Sequence, residues 1–337
     1  MNDPKNLNVD SPESLSVVMP NWLGDFVMAL PALKAVRRDH PGVPMRLWAP
    51  RKLASMGSLV PWAGPITAHD GMRSAASWMA FLEWLRKGGR NSAALLFVNH
   101  FRAALISRMA GVPQRLGLAT EGRGWLLTHP VKLSESLRRA HRSRWYEAVC
   151  QPLIQTPMDP LVKTLEVPQA PGEPSQVVAL AVGAAYGPAK EYGVEGFRSI
   201  AQQLADKGLR PVVVGSASEW ALASKVVEGI TGAENMAGAT SMEGLVTFLA
   251  GARGFIGNDS GPMHLAAALG VPTVGLFGST DPTWTGPQGP KAGFLASPPP
   301  CAPCFQKTCS KTAAEHMLCM RAIKPDSAVQ SLLSLIQ

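Results

Sequence analysis

A chain of 337 residues with 46% hydrophobic and 17% charged side chains has apolar material for two ordinary domains, which excludes a disordered protein. No apolar run approaches the ~20 residues that cross a bilayer. Residues 1–14 lack a basic n-region and an apolar core, so no secretory signal is read and a cytoplasmic protein is expected. The net charge of +8 favours an anionic partner, but no nucleic-acid module accompanies it, so nucleic acid is not expected.

Residues 15–19 read as a first strand, followed by a loop, Pro20-Asn21-Trp22-Leu23-Gly24-Asp25, and a helix over 26–38 that Pro31 either kinks or starts. Asp25, between strand and helix, suits a general base on a hydroxyl, or simply caps the helix, which Asp favours. Residues 45–49 and 93–98 are further strands, separated by a helix over 75–87. Basic residues gather between Arg102 and Arg144, ending in Arg138-Arg139-Ala140-His141-Arg142-Ser143-Arg144. That run reads as an anion-facing surface or as a solvated helix face, and His141 as a cap or a substrate contact. Cys150 reads as a core residue.

A Pro-rich stretch over 167–174 separates this half from the next, giving domains over 15–168 and 175–337. The alternation restarts with strands over 177–182 and 211–214 and helices over 196–207 and 217–230. Such alternation predicts α/β domains with parallel sheets, and two of them predict a ligand cleft where strand C-terminal ends converge.

Gly183-Ala184-Ala185-Tyr186-Gly187-Pro188-Ala189-Lys190 is a small-residue loop ending in a cation. It suits a diphosphate, or it is a surface loop with a solvated lysine; it is not a Walker loop. Glu219 either accepts from a sugar hydroxyl or closes a capping box with Ser216, which the spacing favours. Gly254-Phe255-Ile256 leads into Gly257-Asn258-Asp259-Ser260-Gly261-Pro262-Met263-His264. Helix 265–269 and a strand over 273–277 follow. A strand, a tight turn and a helix in that order aim a helix N-terminus at a phosphate, unless the turn is an ordinary capped one. His264 binds phosphate or closes the first helical turn. Near the C-terminus Cys301, Cys304, Cys309 and Cys319 hold one C-x-x-C step, which fits zinc or, in a reducing compartment, plain thiols.

Four motifs in this order resemble the ADP-heptose:lipopolysaccharide heptosyltransferases of glycosyltransferase family 9, most closely the heptosyltransferase II type. They are Asn21-Trp22-Leu23-Gly24-Asp25, Gly187-Pro188-Ala189-Lys190, Asn258-Asp259-Ser260-Gly261-Pro262-Met263-His264 and Cys301-Ala302-Pro303-Cys304-Phe305. The stretch Phe277-Gly278-Ser279-Thr280-Asp281-Pro282 is similar too, so the resemblance runs from about Ser16 to near the C-terminus. It implies a GT-B fold: two Rossmann-like domains facing a central cleft, with acceptor on the first and nucleotide-sugar on the second. It implies inverting, metal-independent transfer of L-glycero-D-manno-heptose from ADP-heptose to the first heptose of the lipopolysaccharide inner core, heptosyl-Kdo2-lipid A, in a Gram-negative cell. The same resemblance makes Asp25 the catalytic base and Lys190 the diphosphate cation. Glu219, Met242, Asp259, Ser260, Gly261 and His264 would line the ADP pocket. No cofactor beyond the donor substrate is implied. The partners implied are ADP-heptose, the anionic inner-core acceptor and, peripherally, the cytoplasmic face of the inner membrane. Where many relatives continue after the lysine with Arg-Trp-Pro, this chain has Glu191-Tyr192-Gly193. A second cation and a Pro-started helix are therefore not carried over. The alternatives are heptosyltransferase I or III, another family member with a different acceptor, and a catalytically inactive nucleotide-sugar-binding protein.

Overall fold

A computed structural model describes residues 11–167 and 175–337, and residues 168–174 of the Pro-rich stretch lie outside them. The chain divides into two compact units, Met1–Glu166 and Val167–Gln337.

The first unit is a sheet of six parallel strands in the order β3-β2-β1-β4-β5-β6. Its strands are β1 (Ser14–Val18), β2 (Met45–Pro50), β3 (Ile66–His69), β4 (Ser92–Leu96), β5 (Gln114–Leu118) and β6 (His129–Val131). Five helices accompany them: α1 (Leu23–Asp39), α2 (Ala75–Arg86), α3 (Phe101–Met109), α4 (Glu135–Arg139) and α5 (Arg142–Cys150). β1 and β4 lie at the centre, with Val17 opposite Leu47 on one side and Leu95 on the other. Both strands are buried almost throughout, so apolar and small residues dominate them on both faces.

Two expectations are corrected here. Helix α1 begins at Leu23, three residues earlier than the sequence suggests, and Trp22 rather than Asp25 occupies its N-cap position. Pro31 does not start it, because it lies buried inside a helix that runs from Leu23 to Asp39. α2 starts as local chemistry demands: Ser74 accepts from the Ser77 N–H, and Ser77 returns the bond to the Ser74 N–H.

The basic stretch is not one anion-facing surface. Arg123 is fully buried and donates to the Leu118 carbonyl (2.9 Å), the Val98 carbonyl (2.5 Å) and Asn99 Oδ1 (3.2 Å). Burial pushes it down to about 10. Its guanidinium joins the ends of β4 and β5, so it belongs to the scaffold. Truncation leaves those acceptors buried without a donor. Arg123→Ala should therefore cost about 3 kcal/mol or more of stability, read as an earlier urea transition with unchanged slope.

The second unit repeats the plan. Its order is β12-β11-β10-β7-β8-β9, again all parallel. The strands are β7 (Val177–Ala181), β8 (Arg210–Val214), β9 (Glu234–Asn235), β10 (Gly254–Asn258), β11 (Thr273–Phe277) and β12 (Ala292–Ala296). The helices are α6 (Val194–Asp206), α7 (Trp220–Val227), α8 (Met242–Ala250), α9 (Gly261–Ala268), α10 (Pro282–Thr285), α11 (Leu318–Arg321) and α12 (Pro325–Ile336). α6 shows why the alternation is readable: Phe197, Ile200, Ala201 and Leu204 recur on one helical face, and all four are buried in the core of this unit. β10 runs two residues further than expected, through Gly257 and Asn258, which had been assigned to the turn.

Numbered within each unit, both strand orders are 3-2-1-4-5-6. The chain reverses its direction of winding between β1 and β4, and again between β7 and β10. In doubly wound sheets the carboxyl ends of the strands at that reversal are where ligands are held. Asp25 follows β1, Lys190 follows β7, and Asp259 follows β10.

Candidate active site

In the second unit the loop after β7 and the turn after β10 are stitched together by Asn258. Its Nδ2 donates to the Val182 carbonyl (2.8 Å), and its Oδ1 accepts the Tyr192 N–H (3.0 Å). Tyr192 is itself anchored, its hydroxyl donating to the Ile323 carbonyl at 2.6 Å. The buried Tyr192 thus fixes the chain, and α6 starts after Gly193, whose φ of 94° suits glycine.

Asp259 is the hub. Its carboxylate is 4% exposed, and Oδ2 accepts from Lys190 Nζ (2.6 Å), Thr280 Oγ1 (2.8 Å) and Thr285 Oγ1 (3.2 Å). His264 Nε2 lies 3.8 Å from Oδ1. Burial opposes the charged form, but His264 and Lys190 outweigh it and hold Asp259 at about 2. The carboxylate is therefore charged, and Lys190 is pinned rather than solvated. Lys190 closes a short 3₁₀ turn, Pro188–Lys190, and its Nζ lies 4.9 Å from the centre of the Tyr186 ring. That turn is docked on the loop that carries the cysteines. The Ala189 N–H donates to the Lys307 carbonyl (3.0 Å), and a Cβ on Gly187 would lie 2.5 Å from that oxygen.

Ser260 occupies the N-cap position of α9, yet its hydroxyl makes no capping bond and is buried without a partner. Gly261 and Pro262 open the helix, so the N–H groups of Gly261 and Met263 have no acceptor within it. A pinned cation, an orphan hydroxyl and two outward N–H groups at a helix N-terminus together make an anion-binding arrangement.

Glu219 forms the capping box that its spacing favours, Oε2 accepting from the Ser216 N–H (2.6 Å) and hydroxyl (2.9 Å). The carboxylate lies across the loop entries, where a Cβ on Gly183 would be 1.9 Å from Oε1 and one on Gly215 2.6 Å from Oε2. Met242 is the first residue of α8, which packs on α9.

In the first unit Asp25 sits in the opening turn of α1, and the buried Tyr146 hydroxyl donates to its Oδ1 at 3.0 Å. Burial first, and Asp25 second, push Tyr146 well up, so it stays a neutral donor. Arg142 is part of the same group. Burial lowers its guanidinium, and the nearby Asp25 and Tyr146 offset that. Arg142 Cζ stands 3.6 Å from the centre of the Trp145 ring. Asn21 Nδ2 lies 3.2 Å from His100 Nε2, and the exposed Trp22 carries Lys52 at 4.8 Å. His141 proves to be the α5 cap, accepting from the Ser143 N–H. Arg139 pairs with Glu135 and Arg144 with Glu147. Tyr146, Thr280 and Thr285 are the polar partners that sequence reasoning missed. The one available signal was the four-residue spacing of Arg142 and Tyr146, which puts both on one face of α5.

All five cysteines are free, with Cys301 and Cys304 exposed and Cys150 and Cys319 buried. Burial and the neighbouring thiols of Cys304, Cys301 and Cys309 push Cys319 up. Among the described residues no group of three His, Cys, Asp or Glu side chains is arranged to hold a metal ion.

Comparison with known proteins places these residues in context. The family model described as Glycosyltransferase family 9 (heptosyltransferase) matches residues 85–314. Lipopolysaccharide heptosyltransferase 2 of Escherichia coli K12 is 28% identical over 302 residues, covering 83% of this chain and 86% of that protein. Lipopolysaccharide heptosyltransferase 1 of Pseudomonas aeruginosa PAO1 is 27% identical over 322 residues, covering 89% and 88%. The solved structure of ADP-heptose lps heptosyltransferase II from E. coli superposes with a TM-score of 0.78 at 24% identity, covering 96% of this chain and 98% of that one. Two Rossmann-like units in one chain, with that likeness, are the GT-B fold class.

Proposed function

The chain belongs to glycosyltransferase family 9 (heptosyltransferase), and from that premise we propose that it transfers a heptose from ADP-heptose to the inner core of lipopolysaccharide, specifically to the first heptose of heptosyl-Kdo2-lipid A. The observation that carries this reading is the anion-binding arrangement of Lys190, Ser260 and the α9 N-terminus. In the first unit the reading rests on Asp25, a half-buried carboxylate at the start of α1.

Inverting transfer is a single displacement. Asp25 takes the proton of the acceptor hydroxyl while that oxygen attacks the anomeric carbon. The bond from that carbon to the β-phosphate oxygen breaks, and ADP leaves with the electron pair. Because Tyr146 donates to Oδ1, Oδ2 is the oxygen left to receive the proton. Negative charge grows on the departing β-phosphate, where Lys190 and the N–H groups of Gly261 and Met263 stabilise it. Asp259 acts through Lys190, holding the ammonium in place, while Glu219 and Met242 flank the nucleoside. In this reading the leaving group needs no metal and no cofactor, in keeping with a sequence that has no Asp-x-Asp element. Among the described residues no helix is long and apolar enough to cross a membrane. The lipid-anchored acceptor would bring the enzyme to the cytoplasmic face of the inner membrane.

The test is ADP release by the purified protein given ADP-heptose and a truncated lipopolysaccharide that ends in one heptose. Release that requires this acceptor supports the reading. Release only with an acceptor lacking heptose assigns the preceding step instead. Tight ADP-heptose binding with no release under any acceptor would favour the inactive binding protein. In the same assay, charge reversal at Arg142 and Arg144 should raise acceptor KM about tenfold or more and leave donor KM unchanged. An unchanged acceptor KM would remove both arginines from acceptor binding.

A further inference from the structure

Helices α2 and α3 of the first unit carry a surface that the transfer chemistry does not use. Five large apolar side chains are exposed there: Trp78 (38%), Met79 (55%), Phe101 (37%), Met109 (60%) and Trp125 (65%). They do not belong to the core beneath, which is closed by Phe81, Trp84, Ala103, Ala104 and Ile106. The exposed rings are linked into one stripe. The Phe101 and Trp125 rings are 6.3 Å apart, Arg108 lies 5.7 Å from Trp125, and Arg102 lies 5.2 Å from Trp78. α2 and α3 pack on each other, and α3 packs on the short turn Gly124–Leu126 that presents Trp125.

The charge on this stripe is one-sided. Neither Arg102 nor Arg108 pairs with a carboxylate among the described residues. Between residues 72 and 126 the only acidic residues are Glu83 and Glu121. An isolated exposed tryptophan needs no explanation, but exposed aromatic and Met side chains grouped on one pair of helices, with arginines over two of the rings and no carboxylate partner for either arginine, do. Tryptophan places an apolar ring and a polar N–H at the depth of lipid headgroups. Arginine lays its stem along apolar surface and keeps its charge at the phosphates. Exposed aromatic rings beside arginines that pair with no carboxylate complement a sheet of anionic headgroups in both polarity and charge.

We infer that the α2–α3 face, with Trp78, Phe101 and Trp125 as anchors and Arg102 and Arg108 as the charged contacts, docks on the surface of an anionic lipid bilayer. Docking concentrates the enzyme where a lipid-linked acceptor resides, but it does not depend on which acceptor is used. Lipid vesicles without any lipopolysaccharide therefore test it apart from the transferase reading.

Purified full-length protein is floated with vesicles of phosphatidylcholine alone and of phosphatidylcholine mixed with phosphatidylglycerol. Wild type should rise with the anionic vesicles, remain behind with the neutral ones, and be released by salt. Trp78→Ser with Trp125→Ser, and separately Arg102→Glu with Arg108→Glu, should each lower the partition coefficient by about tenfold or more, with ADP affinity and Tm unchanged. If the tryptophan pair lowers Tm, Trp125→Ser alone carries the test, since that ring is the most exposed of the five. The inference is overturned if wild type ignores anionic vesicles or if the variants bind as wild type does. It is overturned equally if the same substitutions instead abolish a concentration-dependent dimer, which would give the face to a second copy of the chain.

Discussion

Asp25→Asn lowers kcat by about a hundredfold or more while ADP affinity stays within a few-fold of wild type. The amide keeps the shape of the carboxylate and can still accept the Tyr146 hydroxyl through its oxygen. What is lost is the basic Oδ2, so the acceptor hydroxyl must lose its proton to water. Asp25 does not cap α1, since Trp22 holds that position, and the substitution should leave Tm near wild type. In the proposed reading donor binding belongs to residues of the second unit, so ADP affinity is expected to be preserved. Steady-state turnover together with an ADP titration separates these effects. Turnover near wild type would remove the base assignment and leave Asp25 a partner of Tyr146 and Arg142 only.

Lys190→Ala should be costlier to the donor half of the reaction. It removes the cation assigned to the departing diphosphate, and kcat/KM should fall by about two to three orders of magnitude. It also strips Asp259 of its closest partner, leaving a carboxylate 4% exposed with two threonine hydroxyls and His264 at 3.8 Å. Destabilisation on the order of 2 kcal/mol follows from the uncompensated charge. The acid limb of stability gives an independent readout. Asp259 stands at about 2 in the folded protein against an ordinary 3.8. Its contribution is therefore fully present above about pH 4 and lost as pH falls towards 2, a difference on the order of 2 kcal/mol. Without Lys190 that depression shrinks, so the variant should start less stable at neutral pH and lose less on acidification. Parallel acid limbs for the two proteins would show that the 2.6 Å ion pair does not set the ionisation of Asp259. Lys190→Arg distinguishes charge from shape, because it restores the charge but offers a broader head in a site built around one Nζ.

Much of this protein is legible from its residues because its central strands and its site loops obey local rules. β1, β4, β7, β10 and β11 are buried on both faces, so their sequences are dominated by apolar and small residues, and such segments are visible in any single sequence. The loops that follow β7 and β10 need glycine for close backbone approach, and a helix start needs its cap. The donor loop, the Asp259 turn and the Ser216–Glu219 box are therefore recognisable without coordinates.

β5 escaped because Gln114 and Arg115 open it, and the strands β3, β6, β9 and β12 at or near the sheet edges because they are half exposed. Water replaces one set of neighbours there, and the residues carry no unbroken apolar signal. The site's pairings escaped for a different reason. Lys190 meets Asp259 across 69 residues, and Tyr146 meets Asp25 across 121. Each contact exists only because parallel winding brings separate loops to the same strand ends. Local sequence thus determined which residue types stand at those ends, together with the strands and helices that carry them. Only the tertiary structure decided that Asp259 is the anchor of Lys190, that Arg123 is scaffold, and that Tyr146 donates to Asp25. Those roles follow from burial and from partners distant in the chain, and no local propensity encodes either.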